Sequence, residues 1–292
     1  MIRHADLIQL SLFALTVTTL WMAETALSAG NAVFKWRHAK LNSLFIMTAL
    51  PIQFVMTVLC FGLAKWTAGA HWGLVYLLKN PGNPFVKYVL MFVVLDLLDY
   101  VYHLAMHYIP LFWRFHLVHH SDLAVDVSTT VREHPGETFI RNGFLLLWVL
   151  LTGASLEVLV IRQMVETASN IAAHTSIRLP PRPARILGWL FVTPNFHHAH
   201  HHCERPATNR NFGDVFSIWD RLFGTVAAIP PEKIVFGLDT HLDGRTDDRL
   251  MAWSARLGWI ARAIRSGLDS KAVVDREAGV LTNSAAPVTP TP

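Results

Sequence analysis

The sequence predicts an all-α integral-membrane bundle, with three to four embedded helical segments or hairpins and a cytoplasmic, histidine-rich cap that holds two metal ions. Three observations lead there. The chain has 292 residues, 52% hydrophobic and only 16% charged, which is too apolar for an ordinary soluble domain. Its apolar residues gather in runs long enough to cross a hydrocarbon core of about 30 Å. Twelve of its sixteen histidines fall between His103 and His202.

The runs, in order, are residues 7–27, 43–66 and 85–109. The first exceeds the ~7–15 residues of a secretory signal's apolar core, so it reads as an uncleaved span. A fourth run, 139–153, is shorter and continues into a polar-spotted helix at 155–175, so it reads as a segment that enters the membrane and returns. Lys35, Arg37 and Lys40 between the first two spans, against Lys79 between the next two, place the first loop and everything after the third span in the cytoplasm. That assignment fits an inner membrane in a bacterium or the endoplasmic reticulum in a eukaryote. The net charge of +4 follows from basic loops flanking spans and does not indicate nucleic acid. Four regions result: an N-terminal transmembrane hairpin at 1–84, a histidine-rich region at 85–225, a C-terminal segment at 226–270, and a disordered tail at 271–292. Within the third, Leu250, Trp253, Leu257, Ile260 and Ile264 share one face of an amphipathic helix at 249–265, suited to the leaflet surface or to packing on the body.

The histidines form His103-x3-His107, His116-x2-His119-His120, a lone His174 and His197-x2-His200-His201, with His134, His198 and His202 beside them. Residues three and four apart share a helix face, so each cluster aims two or three imidazoles at one point. Nine imidazoles exceed the four of a tetrahedral ion and suit two ions. The last cluster has a second register, since His198, His201 and His202 repeat the spacing. Asp99, four residues before His103, is placed to accept a hydrogen bond from that ring's other nitrogen. No glutamate has a histidine three residues on, and no His-Glu-x-x-His occurs, so a carboxylate-bridged bundle and a zincin are excluded. Imidazole itself does not name the metal. His38, His71 and His241 lie outside the motifs and are expected to be dispensable for metal.

These motifs resemble the fatty acid hydroxylase and sterol desaturase superfamily of membrane di-iron oxygenases. The resemblance is carried by His103 to His107, residues 111–121 (LFWRFHLVHHS), 192–202 (VTPNFHHAHHH) and 211–225 (NFGDVFSIWDRLFGT), and it covers roughly residues 90–225. It implies two iron ions, with dioxygen as co-substrate, held by His103, His107, His116, His119, His120, His174, His197, His200 and His201. Pro194 sets the last register, leaving His198 and His202 as neighbours. Residues 170–174 (NIAAH) imply His174 as a direct ligand and Asn170 as one acting through water. His134, in residues 132–137 (REHPGE), matches a family signature as either a ligand or a structural residue. Asp99, Asp122 and Glu137 are near enough in sequence to offset the metals' charge. Leu104 departs from the arginine that many relatives carry, which bears on local contacts rather than on the metals.

The resemblance implies hydroxylation or desaturation of a lipid, fatty acyl, sterol or related, drawn from the bilayer. Two cysteines cannot hold a four-thiolate cluster, and neither a haem-attachment motif nor a Gly-x-Gly-x-x-Gly fingerprint is present. Electrons must come from a separate carrier of cytochrome b5, ferredoxin or rubredoxin type with its reductase. The rival readings are a non-enzymatic membrane metal-binding or transport protein, which would need polar residues along several spans, and a membrane metal hydrolase, which would need neither oxygen nor reductant.

Overall fold

A computed structural model describes residues 32–78 and 84–239, with Thr19 standing alone. The first apolar run, Lys79, the helix read at 249–265 and the tail lie outside the described residues. Among the described residues the fold is all-helical, with isolated bridges only at Phe191–Phe216 and His202–Phe236.

Two helices are long and apolar enough to cross a membrane. The first, α1 (Ala32–Ala70), continues through Pro51 and extends beyond the expected 43–66 at both ends. Its outer face is apolar and uncovered: Phe54 is 72% exposed and Met47 67%. Water would penalise so large a patch, whereas lipid would not. A short helix, α2 (Leu74–Leu77), follows. The second long helix, α3 (Pro84–Tyr108), stops where Ile109 turns extended ahead of Pro110, as the residue before a proline must. Pro110 then opens α4 (Pro110–His120) at the first helical position, where its missing N–H costs nothing.

After α4 the chain makes a 3-10 turn at Val127–Val131, capped by Asp126. It then enters α5 (Pro135–Thr152), capped by the His134 ring and ended by Gly153 in the left-handed region at φ 66°. A Cβ at Gly153 would lie 2.2 Å from the Trp72 carbonyl oxygen, so only glycine lets the two turns meet. The next helix, α6 (Leu156–His174), leads to three short ones: α7 (Pro181–Leu187), α8 (Pro194–His200) and α9 (Ile218–Phe223).

Contacts at both ends of these helices fix their directions. The start of α1 is tied to the loop after α4, where His38 Nε2 bonds Asp122 at 2.7 Å and Arg132 donates to Asn42 at 3.0 Å. The far end of α1 meets the far end of α5, where Trp72 Nε1 donates to the Leu150 carbonyl at 2.8 Å. Since Glu137 at the start of α5 touches His116, and His174 at the end of α6 touches His119, the α5–α6 pair runs out from the histidines and back. The apolar core sits at the far end, around Cys60, Met91, Leu95, Val149 and Leu159.

Candidate metal centre

Three helices end, and one short helix lies, at the same point. The last turns of α3 carry His103 and His107, α4 carries His116, His119 and His120, α6 finishes at His174, and α8 carries His197 and His200, with His201 as its cap. The structure brings all nine together as two adjoining groups, His103, His107, His116, His120 and His200, and His119, His174, His197 and His201. Within each group the offered nitrogens lie within 4.8 Å of one another. Nε2 atoms of His174, His197 and His201 are 3.0–3.2 Å apart, as are those of His119 and His174. Nitrogens about 2.0–2.1 Å from one ion stand about that far from each other. The two groups touch through His120 and His201, whose rings stack at 4.6 Å.

The opposite ring edges explain why these nitrogens face inward. Nδ1 of His103 donates to the Phe212 carbonyl at 2.9 Å, that of His174 to Asn170 at 2.7 Å, that of His200 to Arg210 at 2.7 Å, and that of His119 to Arg132 at 3.3 Å. His116 Nδ1 donates to Glu137 at 2.6 Å, and His107 Nδ1 to the Asn209 side chain at 3.3 Å. A proton fixed on Nδ1 leaves a lone pair on Nε2 for a metal. The Nε2 atoms of His107, His120 and His200 are buried with no protein partner, which is costly unless something binds them. Burial holds His116 down to about 3 and His119, His120, His197, His200 and His201 well below the ordinary imidazole value, so these rings are neutral at physiological pH. Neutral, inward, mutually spaced imidazoles fit two ions.

The neighbouring residues divide. Glu137 sits against His116, and by that contact can offset charge. Asp99 does not bond His103; Phe212 takes that ring proton, and Asp99 instead accepts from Arg162 Nε at 2.8 Å. The turn that places Asp99 beneath His103 faces it toward α6, where a buried guanidinium is the stronger partner. Asp122 is bonded to His38, Asn42 and Thr129, so it braces the loop rather than a ring of either group. His134 accepts from the Gly136 amide at 2.9 Å and packs on Phe115, which makes it a helix cap outside both groups. His198 bonds the Thr175 carbonyl and Arg178, and His202 accepts from the Val235 amide; neither joins the groups, and the register is that of His197, His200 and His201. Asn170 supplies its carbonyl to His174 and its amide to Asp214 at 3.4 Å.

The sequence reading set His38 aside as a residue outside the motifs and dispensable for metal, and missed its bracing role. It is 8% exposed and bonds both Asp122 and Asp126, the latter at 2.9 Å, fastening α1 to the loop that follows His119 and His120. A histidine four residues ahead of an asparagine, in a run otherwise basic, was its only signal.

A cavity of about 810 Å³ reaches the histidines from the space between α1, α5 and α6. His103, His116, His119, His174 and His197 form its inner end, and Ile46, Leu50 and Met164 line its outer part. That volume suits one small lipid or acyl chain.

Residues 88–225 match the family model described as fatty acid hydroxylase. That stretch of the chain is similar to members of the fatty acid hydroxylase superfamily. The chain is 28% identical over 152 residues to an alkylglycerol monooxygenase of Caenorhabditis elegans, covering 50% of this chain and 28% of that protein. It is 31% identical over 137 residues to an ornithine lipid hydroxylase of Rhizobium tropici, covering 47% and 40%. It is 27% identical over 145 residues to human cholesterol 25-hydroxylase, covering 47% and 51%. The chain therefore spans between 28% and 51% of the length of these relatives. No solved structure matches it.

Proposed function

We propose that this protein is a membrane-bound non-haem di-iron oxygenase of the fatty acid hydroxylase superfamily that hydroxylates or desaturates a lipid C–H bond. The observation that carries the proposal is the pair of imidazole groups, five and four rings, opening on one lipid-sized cavity. Iron held there would supply oxygen activation and C–H oxidation, fed by electrons from an external carrier such as a cytochrome b5, ferredoxin or rubredoxin with its reductase. The chain's own residues hold and orient. Backbone carbonyls of Phe212, Asn170 and Arg210 keep the Nδ1 protons of His103, His174 and His200 in place, and Glu137 does so for His116. Helices α1, α5 and α6 enclose the substrate and exclude water from the reacting carbon.

The names of the relatives, which are monooxygenases and hydroxylases of alkylglycerol, ornithine lipid and cholesterol, support a lipid substrate. Lys35, Arg37 and Lys40 at the start of α1, the end nearest the histidines, support a cytoplasmic centre. A transporter would need a polar path through the spans, and the exposed face of α1 is apolar. Cells making the full-length protein, grown with isotopically heavy dioxygen, should gain a lipid carrying one heavy oxygen or one lacking two hydrogens. The product should vanish without oxygen and in His119→Ala. Product formed anaerobically would point to a hydrolase instead.

A further inference from the structure

The cavity wall beneath the histidines is more acidic than a hydrocarbon substrate requires. Asp99, Glu133, Glu137, Glu166 and Asp214 line it. Two guanidiniums answer these five carboxylates. Arg141 bonds Glu133 at 2.9 Å, and Arg162 is shared by Asp99 at 2.8 Å and Glu166 at 2.9 Å. Carboxylate oxygens of Asp99, Glu166 and Asp214 converge within 4.8 Å of one another. Among the described residues, Asp214 has only the Asn170 amide, at 3.4 Å, as a side-chain donor. Separately, Glu137 is 5% exposed, faces the same cavity and keeps Oε2 without a partner. Unpaired carboxylates in a buried cavity are expensive unless a cation or donor completes them.

This polar wall lies close to the metal groups. Asp99 is one helical turn before His103, Asp214 is two residues past the Phe212 carbonyl that holds His103, and Asn170 bridges Asp214 to His174. The cavity is also lined by the apolar Ile46, Ala49, Leu50 and Met164. Leu50 both lines it and is 53% exposed, which marks an opening on the outer surface of α1, where α1 and α6 touch only sparsely.

We propose that the cavity takes an amine-bearing lipid, its ammonium group held by Asp99, Glu166 and Asp214 and its tail leaving past Leu50 between α1 and α6. The carbons presented to the histidine groups then belong to the polar end of the lipid, not to the far end of its chain. This inference rests on the lipid-oxygenase reading only for what happens after binding; the binding itself needs no turnover.

The test uses full-length protein in phosphatidylcholine nanodiscs and three probes of equal chain length, hexadecylamine, hexadecanol and palmitate, with bound probe counted by native mass spectrometry. At about pH 7 an alkylamine is charged. It should bind roughly tenfold or more tightly than the alcohol, a difference of about 1.4 kcal/mol, and palmitate should bind weakest. Asp214→Asn and Glu166→Gln should each remove most of that preference while hexadecanol binding and iron content persist. Equal affinity for amine and alcohol would overturn the proposal, and so would a preference unchanged in both variants. A third metal ion per chain that disappears in those variants would also overturn it, assigning the acidic wall to an inorganic cation. Amine preference without bound iron would leave this inference standing and remove the oxygenase reading. Two irons without amine preference would do the reverse.

Discussion

The two imidazole groups are built by different parts of the chain. The group of five takes four rings, His103, His107, His116 and His120, from one helix–turn–helix, α3 and α4, and adds only His200 from afar. The group of four has no such local source. It needs His119 from α4, His174 from the return of the α5–α6 pair, and His197 and His201 from α8. Access differs as well, since three of the four rings in the smaller group line the cavity, against two of the five in the larger. The larger group is therefore the more local and enclosed anchor. The smaller offers fewer rings and faces the cavity, which makes it the proposed reacting site, where an open position is needed.

The largest expected effect separates the rings of the smaller group from their neighbours. His197→Ala should abolish product formation, whereas His198→Ala and His202→Ala should only lower it, because their rings bond Thr175, Arg178 and Val235. Lipid analysis of cells expressing each variant decides this, and a dispensable His197 would break the division into groups.

Acid should strain both groups together. The folded-state pKa values of His116, His119, His120, His197, His200 and His201 lie below the ordinary imidazole value near 6.5, so the unfolded chain takes up protons first as pH falls. Metal-free protein should thus be most stable above about pH 6.5 and lose on the order of 1 kcal/mol per ring for each pH unit below it. Thermal melting between about pH 7.5 and 5.5 measures this, and a melting temperature independent of pH would contradict burial of neutral rings.

His38→Ala should cost about 3–5 kcal/mol by leaving Asp122 and Asp126 buried without their partner. The melting temperature should fall, and metal content should fall with it. His71→Ala, at an exposed position, serves as the unaffected comparison. Glu137→Gln, which weakens the hold on His116, should lower metal affinity of the larger group by about 10–100-fold and leave the smaller group nearly unchanged. Competitive chelation of the purified variant would show one ion released early. Release of both together would mean that the groups act as a single unit.

Much of this was legible in the chain. Spacing alone places His103 with His107, and His116 with His119 and His120, on shared faces, and the need to bring His174 and the last cluster to His116 leads to the expectation that residues 139–175 go out and return. What sequence could not reveal were long-range choices of partner. Asp99 is four residues from His103, yet it binds Arg162, 63 residues away, because helical proximity fixes a face and not which of two buried groups wins. The acceptors that set the ring tautomers at His103, His174 and His200 are backbone carbonyls, which leave no mark in residue identity. His38 lacked a motif because its role is to fasten α1 to a loop 84 residues on.

Iron content per chain tests the central claim most directly. Full-length protein purified aerobically in detergent should carry two iron atoms, one for each imidazole group, and His174→Ala should retain about one, since only the smaller group is opened. A single iron in the unmodified protein, or a full complement of two in His174→Ala, would contradict the account of two separate metal-binding groups.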